Sequence, residues 1–229
     1  MTARKASQRA AVDYWRSIRT LAAGSALVLA LGACTSASRS TSDSFRLLFN
    51  RQVEATPAQV AANRFPQIQL RAPDMSAVMV LGYVDDGQQA WYAGKEAVFH
   101  LDRDGLVTGT SGNGRQILNR IVGDSPFHHL GAVTTAVQVQ RRYDATPAYA
   151  VSVPVTGTLT RHGMDKVEIL GRQMQLVRFE ERLRGGGMHA TNLYWADART
   201  GFIWKSHQHL APGYAVELIQ LKPYRPTQD

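Results

Sequence analysis

The stretch Gln173-Met174-Gln175-Leu176-Val177-Arg178-Phe179-Glu180-Glu181-Arg182-Leu183 decides the fold. Val177, Phe179 and Leu183 fall on one side, and Arg178, Glu180 and Arg182 on the other. A period of two over this length describes an extended strand with one buried face. Turn chemistry bounds it at both ends, with Gly171-Arg172 before it and Gly185-Gly186-Gly187 after it. Beyond those turns lie further apolar segments, 167–170 on one side and 188–195 on the other. A strand joined to its neighbours by tight turns pairs antiparallel to both.

The same grammar recurs along the chain. Residues 78–81 lead through Asp85-Asp86-Gly87 to Ala90-Trp91-Tyr92, and 96–101 through Asp102-Arg103-Asp104-Gly105 to Leu106-Val107-Thr108. Segments 133–142 and 149–160 flank Asp144-Ala145-Thr146-Pro147. Asp197-Ala198-Arg199-Thr200-Gly201 turns the chain into 202–208, and 215–221 closes it. Asp-Gly between apolar segments is a strong hairpin signal, because glycine accepts φ > 0 without a steric cost. The reading is a mainly β chain, an antiparallel meander of about ten to twelve strands. So many strands curl, and a half or partial barrel is expected, with a few short helices covering its open side. The helices are expected at Phe45, Leu48 and Phe49, at Thr56-Pro57-Ala58-Gln59, where a cap, a proline at the first position and a capping-box partner coincide, and at 116–122 through Ile117, Leu118 and Ile121.

Composition agrees with one folded body. The chain has 229 residues, 44% hydrophobic and 19% charged, which excludes wholesale disorder. Its net charge of +8 divides evenly: residues 1–33 carry five basic side chains against Asp13, half of the total. The remainder holds no run of like charges, so the electrostatic footprint of a nucleic-acid binder is missing. Cys34 is the only cysteine, which excludes an internal disulfide.

That cysteine stands in an informative place. A basic, polar segment of about 20 residues precedes Leu21-Ala22-Ala23-Gly24-Ser25-Ala26-Leu27-Val28-Leu29-Ala30-Leu31, an apolar run too short to span a bilayer. Gly32 and Ala33 follow, completing the order of a secretory signal peptide over 1–33, and a start nearer Val12 would leave a more compact one. Leu31-Gly32-Ala33-Cys34 resembles a bacterial lipobox, in which the Cys34 thiol takes up a lipid anchor and palmitate is added after cleavage. Several acyl chains on one residue anchor stably, since each buried methylene contributes about 0.8 kcal/mol. Residues 34–43 then read as the lipidated cysteine and a Ser/Thr-rich tether, and 44–229 as a single β-rich periplasmic domain. Thr35, where inner-membrane retention uses Asp, points to the outer membrane.

Candidate chemistry is sparse. His207-Gln208-His209 puts two imidazoles on one side of a strand, a spacing able to grip a metal, but no third ligand is fixed nearby, so no metal is expected. Asp102-Arg103-Asp104-Gly105 lacks the later ligands of a calcium loop and reads as a β-turn. Gly109-Thr110-Ser111-Gly112-Asn113-Gly114 matches neither a P-loop, a dinucleotide fingerprint nor a nucleophile elbow, and reads as a loop. Asp85, Asp86, Asp102, Asp104, Glu180, Glu181 and Asp197 could supply a carboxylate pair for glycoside hydrolysis, yet turns or a charged strand face account for them. Trp91, Tyr92, Trp195 and Trp204 are the candidate contacts for glycan or a partner, with core packing as the competing use.

Several segments together resemble the YjbF family, the group 4 capsule polysaccharide lipoproteins (GfcB/YjbF). They are Arg71-Ala72-Pro73-Asp74, Val80-Leu81-Gly82-Tyr83, Gln89-Ala90-Trp91-Tyr92, Phe99 with Asp104-Gly105-Leu106, and Thr108-Gly109-Thr110. Tyr194-Trp195 with Asp197, then Thr200-Gly201-Phe202-Ile203-Trp204-Lys205-Ser206 and Gln208, match its C-terminal part. The resemblance implies a lipid-anchored protein of the cell envelope, at the outer membrane and facing the periplasm, linked to exopolysaccharide or capsule assembly and export. It implies a curled antiparallel sheet and lends no catalytic residue. No enzyme and no cofactor are expected. The partners expected are the membrane through the lipid, and polysaccharide or other export proteins, with no nucleic acid. The rival readings are a polysaccharide-modifying enzyme using a carboxylate pair, and a carrier enclosing lipid or a lipoprotein in an apolar cavity.

Overall fold

The computed structural model describes residues 54–224 except Glu96, Asn113, Gly114 and Pro147. The signal segment, the lipobox with Cys34 and the helix expected at Phe45, Leu48 and Phe49 lie outside the described residues. The chain enters through α1 (Pro57–Ala62), where the Thr56 hydroxyl accepts from the Gln59 amide and the Gln59 side chain accepts from the Thr56 amide. The capping box read from the sequence is therefore formed. Twelve strands follow: β1 (Gln67–Ala72), β2 (Met75–Asp85), β3 (Gln88–Ala93), β4 (Ala97–Leu101), β5 (Val107–Gly112), β6 (Gln116–Ile121), β7 (Val137–Thr146), β8 (Ala150–Ile169), β9 (Arg172–Gly185), β10 (Met188–Ala196), β11 (Ile203–Ala211) and β12 (Tyr214–Lys222). A 3₁₀ segment, Pro126–Ala132, connects β6 to β7.

Each strand pairs antiparallel with its neighbours in sequence, as the hairpin turns require. Asp86 and Gly87 both take positive φ, as do Leu170 and Gly171, the backbone of a two-residue hairpin turn whose twist suits the flanking strands. The expectation of an open half barrel is corrected: β1 also pairs with β12, through Ile68 with Gln220, Gln69 with Ile219 and Leu70 with Leu218, and the barrel is closed. Outside this seam, Glu217 of β12 accepts from Arg71 of β1 at 2.6 Å and lies 2.9 Å from Lys205 of β11. Closure removes both edges that a twelve-stranded meander would otherwise expose.

The helix expected at 116–122 is also corrected, because those residues form β6. Ile117 and Asn119 point inward while Leu118 is 45% exposed, and β6 pairs with β7 from Gln116–Thr146 to Ile121–Arg141. A short apolar run fits either period, and here the partner strand decides. Segments 149–160 and 167–170 join into the single long β8, irregular between Arg161 and Met164.

Strand alternation places Val177, Phe179, Glu181 and Leu183 inside the barrel. Charged side chains such as Arg178, Lys205 and Glu217 stand outside, the reverse of a barrel whose outer face meets lipid. Antiparallel alternation puts the β2–β3, β4–β5 and β6–β7 connections at one mouth, which we call the near mouth. There Phe127 and Leu130 of the 3₁₀ segment plug the barrel and pack with Leu106, Val139, Leu159, Val177 and Phe179. Gly201, at φ +74, lies against this plug, and a Cβ on it would come 2.9 Å from the Gly131 amide. A second apolar cluster, including Ile68, Met79, Trp91, Phe99, Leu183 and Val216, fills the far half.

A polar belt lies between the two clusters. Arg141 of β7, 7% exposed, donates through Nε to Glu181 Oε1 at 2.6 Å and through Nη2 to Glu181 Oε2 at 2.9 Å. Glu181 Oε2 also accepts from Tyr194 Oη (2.8 Å) and Asn192 Nδ2 (3.1 Å). Phe127 lies edge-on to Tyr194 and beneath the guanidinium, 5.5 Å from its carbon. Burial works against the Arg141 charge, but the Glu181 carboxylate outweighs it and holds the guanidinium firmly protonated. Burial, and then the Glu181 charge, push the Tyr194 hydroxyl well above its ordinary range, so it stays a neutral donor. The sequence reading placed Glu181 with the solvated carboxylates. That is corrected, since its parity matches Val177 and Phe179 and it is 0% exposed.

Space for this carboxylate comes from Gly157 of β8. A Cβ there would collide with Glu181 Oε1 and lie 2.9 Å from its Cγ. Four hydrogen bonds hold that side chain in place, so it cannot yield cheaply. Gly157→Ala should lower unfolding free energy by about 2–4 kcal/mol, read from urea midpoints at constant m-value. Arg141→Met should cost about 3–5 kcal/mol by stranding the carboxylate. Arg141→Met/Glu181→Leu should cost clearly less than the single substitutions added together, and simple additivity would show that the two groups are independent.

Candidate functional site

A cavity opens at the near mouth between β5 and β6, and local sequence explains the gap. Among the described residues these strands share two paired positions, Gly109–Leu118 and Thr110–Ile117. Before Gly109 the strand is tied inward instead. Gln208 of β11 reaches across the barrel, accepting from the Val107 amide at 3.0 Å and donating to the Gly105 carbonyl at 3.2 Å. The β4–β5 turn is fixed separately, by Asp102 Oδ1 accepting the amides of Asp104 (3.0 Å) and Leu106 (2.9 Å). This is an Asx turn, so Asp102-Arg103-Asp104-Gly105 is the β-turn expected.

The resulting cleft has a volume of about 290 Å³. Arg141 and Asn119 line its floor, Asp102, Val107 and Thr108 its β5 wall, and Arg120, Ser125 and His128 the opposite wall. Arg141 Nε and Nη2 are committed to the belt, and among the described residues Nη1 has no hydrogen-bond partner. Asn119 Nδ2 donates to the Leu210 carbonyl at 3.4 Å, and its buried Oδ1 has no donor among the described residues. Reversing that amide would set oxygen against oxygen, so the unpaired atom is the acceptor. On the rim, His128 Nδ1 lies 2.6 Å from Asp104 Oδ2.

Asp102 is the electrostatically unusual group. Burial pushes its carboxyl up to about 6, and Asp104 adds to the rise. The amides of Leu106 and Asp104, and Arg141, oppose it. Its neutral form is thus favoured where an ordinary carboxyl has ionised.

The chemistry this arrangement offers is hydrogen bonding of both senses. Asp86 and Asp102 are the acidic residues of the lining, both on the β5 side, and no Asp or Glu lines the opposite wall. Glycoside hydrolysis by two carboxylates needs one on each side of the bond, which this geometry does not provide. Nor does any hydroxyl donate to the His128 ring among the described residues. The carrier reading meets a similar obstacle, for side chains fill the barrel interior and this cleft is polar.

The aromatic candidates do not line the cleft. Trp91 is 0% exposed, its indole N–H donating to Gln89 Oε1 at 3.1 Å, so it is core and is withdrawn as a surface contact. Tyr92 lies outside, its ring covering Gly82 so closely that a Cβ there would be 2.5 Å away. Trp195, half-buried, donates to Asp165 Oδ2 at 2.9 Å beneath the Lys205 ammonium, and Trp204 stands edge-on to Phe202. His207 and His209 do share a side, with ring centroids 5.0 Å apart. Burial, and then His207, hold His209 below its ordinary range, and its Nδ1 lies 3.1 Å from Asn192 Oδ1. No group of three or more metal-ligating side chains occurs among the described residues. The cleft itself was missed in the sequence, where only the Asx-forming Asp102 gave a signal.

A family model, the group 4 capsule polysaccharide lipoprotein GfcB, YjbF, matches residues 25–221. The chain belongs to this family. Among solved structures, lipoprotein YmcC from Escherichia coli K12 is similar at 22% identity and a TM-score of 0.66, over 81% of this chain and 96% of that one. At that identity the likeness establishes the shared fold. An exported protein with a YmcC-like fold (BF2203) from Bacteroides fragilis covers 71% of this chain and 97% of its own, but at 8% identity and a TM-score of 0.30 it carries no argument. No curated protein matches.

Asp102 also links the cleft to stability. Between an ordinary carboxylate value of 3.8 and about 6, the folded chain holds a proton that the unfolded chain lacks. Stability therefore falls as pH rises through that window, and the loss is complete above it. Asp102→Asn keeps the Asx acceptor and removes the charge. It should raise stability at pH 7.5 by on the order of 1–2 kcal/mol, allowing for partial exposure, and change it little at pH 4. Thermal melts of both proteins across that range check this, and parallel curves would refute it.

Proposed function

We propose that this YjbF-family chain is a lipid-anchored protein of the outer membrane, facing the periplasm, that assists assembly or export of an extracellular polysaccharide without catalysing a reaction. The observation that carries the reading is Leu31-Gly32-Ala33-Cys34 behind a secretory-type segment, in a chain of a capsule polysaccharide lipoprotein family. Cys34 supplies the thiol for the anchor, and the Ser/Thr-rich residues 34–43 serve as the tether between the membrane and the barrel. The charged outer surface of the barrel supports a body that sits in water beside the bilayer. Half-buried Trp195 and Trp204, with Tyr92, remain candidate contacts for glycan or a partner protein. The one-sided placement of the cleft carboxylates supports the non-catalytic reading over a glycan hydrolase.

Labelling with a clickable palmitate, followed by fractionation, tests the anchor in cells that make the native protein. Wild type should be labelled and membrane-bound. Cys34→Ser should be unlabelled, lost from the outer-membrane fraction, and accompanied by reduced surface polysaccharide. Equal membrane retention of the two proteins would overturn the proposal.

A further inference from the structure

We propose that the cleft between β5 and β6 is a subsite for a neutral sugar unit of a glycan, held through a pair of its hydroxyls. The glycan setting rests on the function proposed above, whereas the subsite rests on the cleft. Its volume of about 290 Å³ falls just below the roughly 300 to 1,000 Å³ of drug-sized ligand sites. That suits one or two sugar rings and is too small and too polar for a lipid tail.

Charge narrows the ligand further. An anion entering the cleft would meet Asp86 and Asp102, and a cation would meet Arg103 and the unpartnered edge of Arg141. Both would leave an uncompensated like charge in a partly buried site. A hydroxyl avoids this conflict, because each one donates and accepts at once. The floor presents that complement: Arg141 Nη1 is a donor with no partner among the described residues, and Asn119 Oδ1 is an acceptor without a donor. An unmet buried acceptor costs free energy, and a ligand hydroxyl would recover it.

The site is also rigid before anything binds. Glu181 and Tyr194 lock the Arg141 guanidinium, and the turn amides lock the Asp102 carboxylate. Little side-chain entropy remains to be lost on binding. No Phe, Tyr or Trp lines the cleft, so stacking is not the means of recognition and the affinity should be millimolar.

The test is an amide-resolved NMR titration of the full chain with the methyl glycosides of glucose, galactose and N-acetylglucosamine, with glucuronate and inorganic phosphate as charged comparisons. At least one neutral glycoside should saturably shift Gly109, Asn119 and Gly123, with phosphate inert. Thr108→Trp, which fills the cleft, should weaken binding at least tenfold while melting like wild type. Silence of those amides with every neutral glycoside would overturn the subsite. So would binding of glucuronate or phosphate alone, or shifts confined to Trp195 and Trp204. A silent cleft in a protein whose loss still removes surface polysaccharide would defeat the subsite and spare the export role. A binding cleft in a protein whose loss leaves the polysaccharide intact would do the opposite.

Discussion

The ion pair between Arg141 and Glu181 organises this molecule. Two opposite charges taken out of water repay their desolvation only with near-ideal geometry and full hydrogen bonding. Both conditions hold, through a bidentate contact supplemented by Tyr194 and Asn192. Meeting them constrains four strands at once. β7 must present the arginine, β9 the glutamate and β10 the tyrosine and asparagine, while β8 must offer a glycine so that the carboxylate has room. A slip of one residue in any of these strands would turn its contribution outward and strand the rest. The belt therefore specifies register, a task that interchangeable apolar layers perform poorly.

The cleft follows from the same constraint. Arg141 cannot swing away, so its remaining N–H faces whatever space β5 and β6 leave between them. That space exists because Gln208 holds the start of β5 toward the barrel axis, in place of the ladder bonds β6 would have supplied. A barrel fold carries no function by itself. What distinguishes this one is a small polar opening with a fixed donor, an unmet acceptor and a buried carboxyl that ionises at higher pH than an ordinary one.

Legibility in the sequence follows the range of each interaction. Asp86-Gly87 and Leu170-Gly171 bring their own turn geometry, so the hairpins are visible without knowledge of the partner strands. The capping box of α1 lies within four residues and is equally visible. β6 is not, because Ile117, Leu118 and Ile121 satisfy a helical spacing and only pairing with β7 makes them a strand. Trp91 shows the same limit, since a flat ring serves a glycan surface and a barrel core equally well. Glu181 is the instructive case. Its inward parity is plain beside Phe179, but nothing nearby in sequence announces the cation forty residues away that makes a buried carboxylate tolerable.

The amino-acid sequence by itself determined an antiparallel meander, the order of its strands, and the family to which the chain belongs. It also holds the cysteine-bearing N-terminal segment on which the proposed anchor rests. These are matters of local backbone preference and of short motifs, written in adjacent residues. Tertiary structure alone decided that β1 meets β12, that the interior carries a charged belt between two apolar layers, and that β5 and β6 part to form a cleft. Each of those outcomes joins groups far apart along the chain, and their free energy exists only once the barrel has brought them within hydrogen-bonding distance.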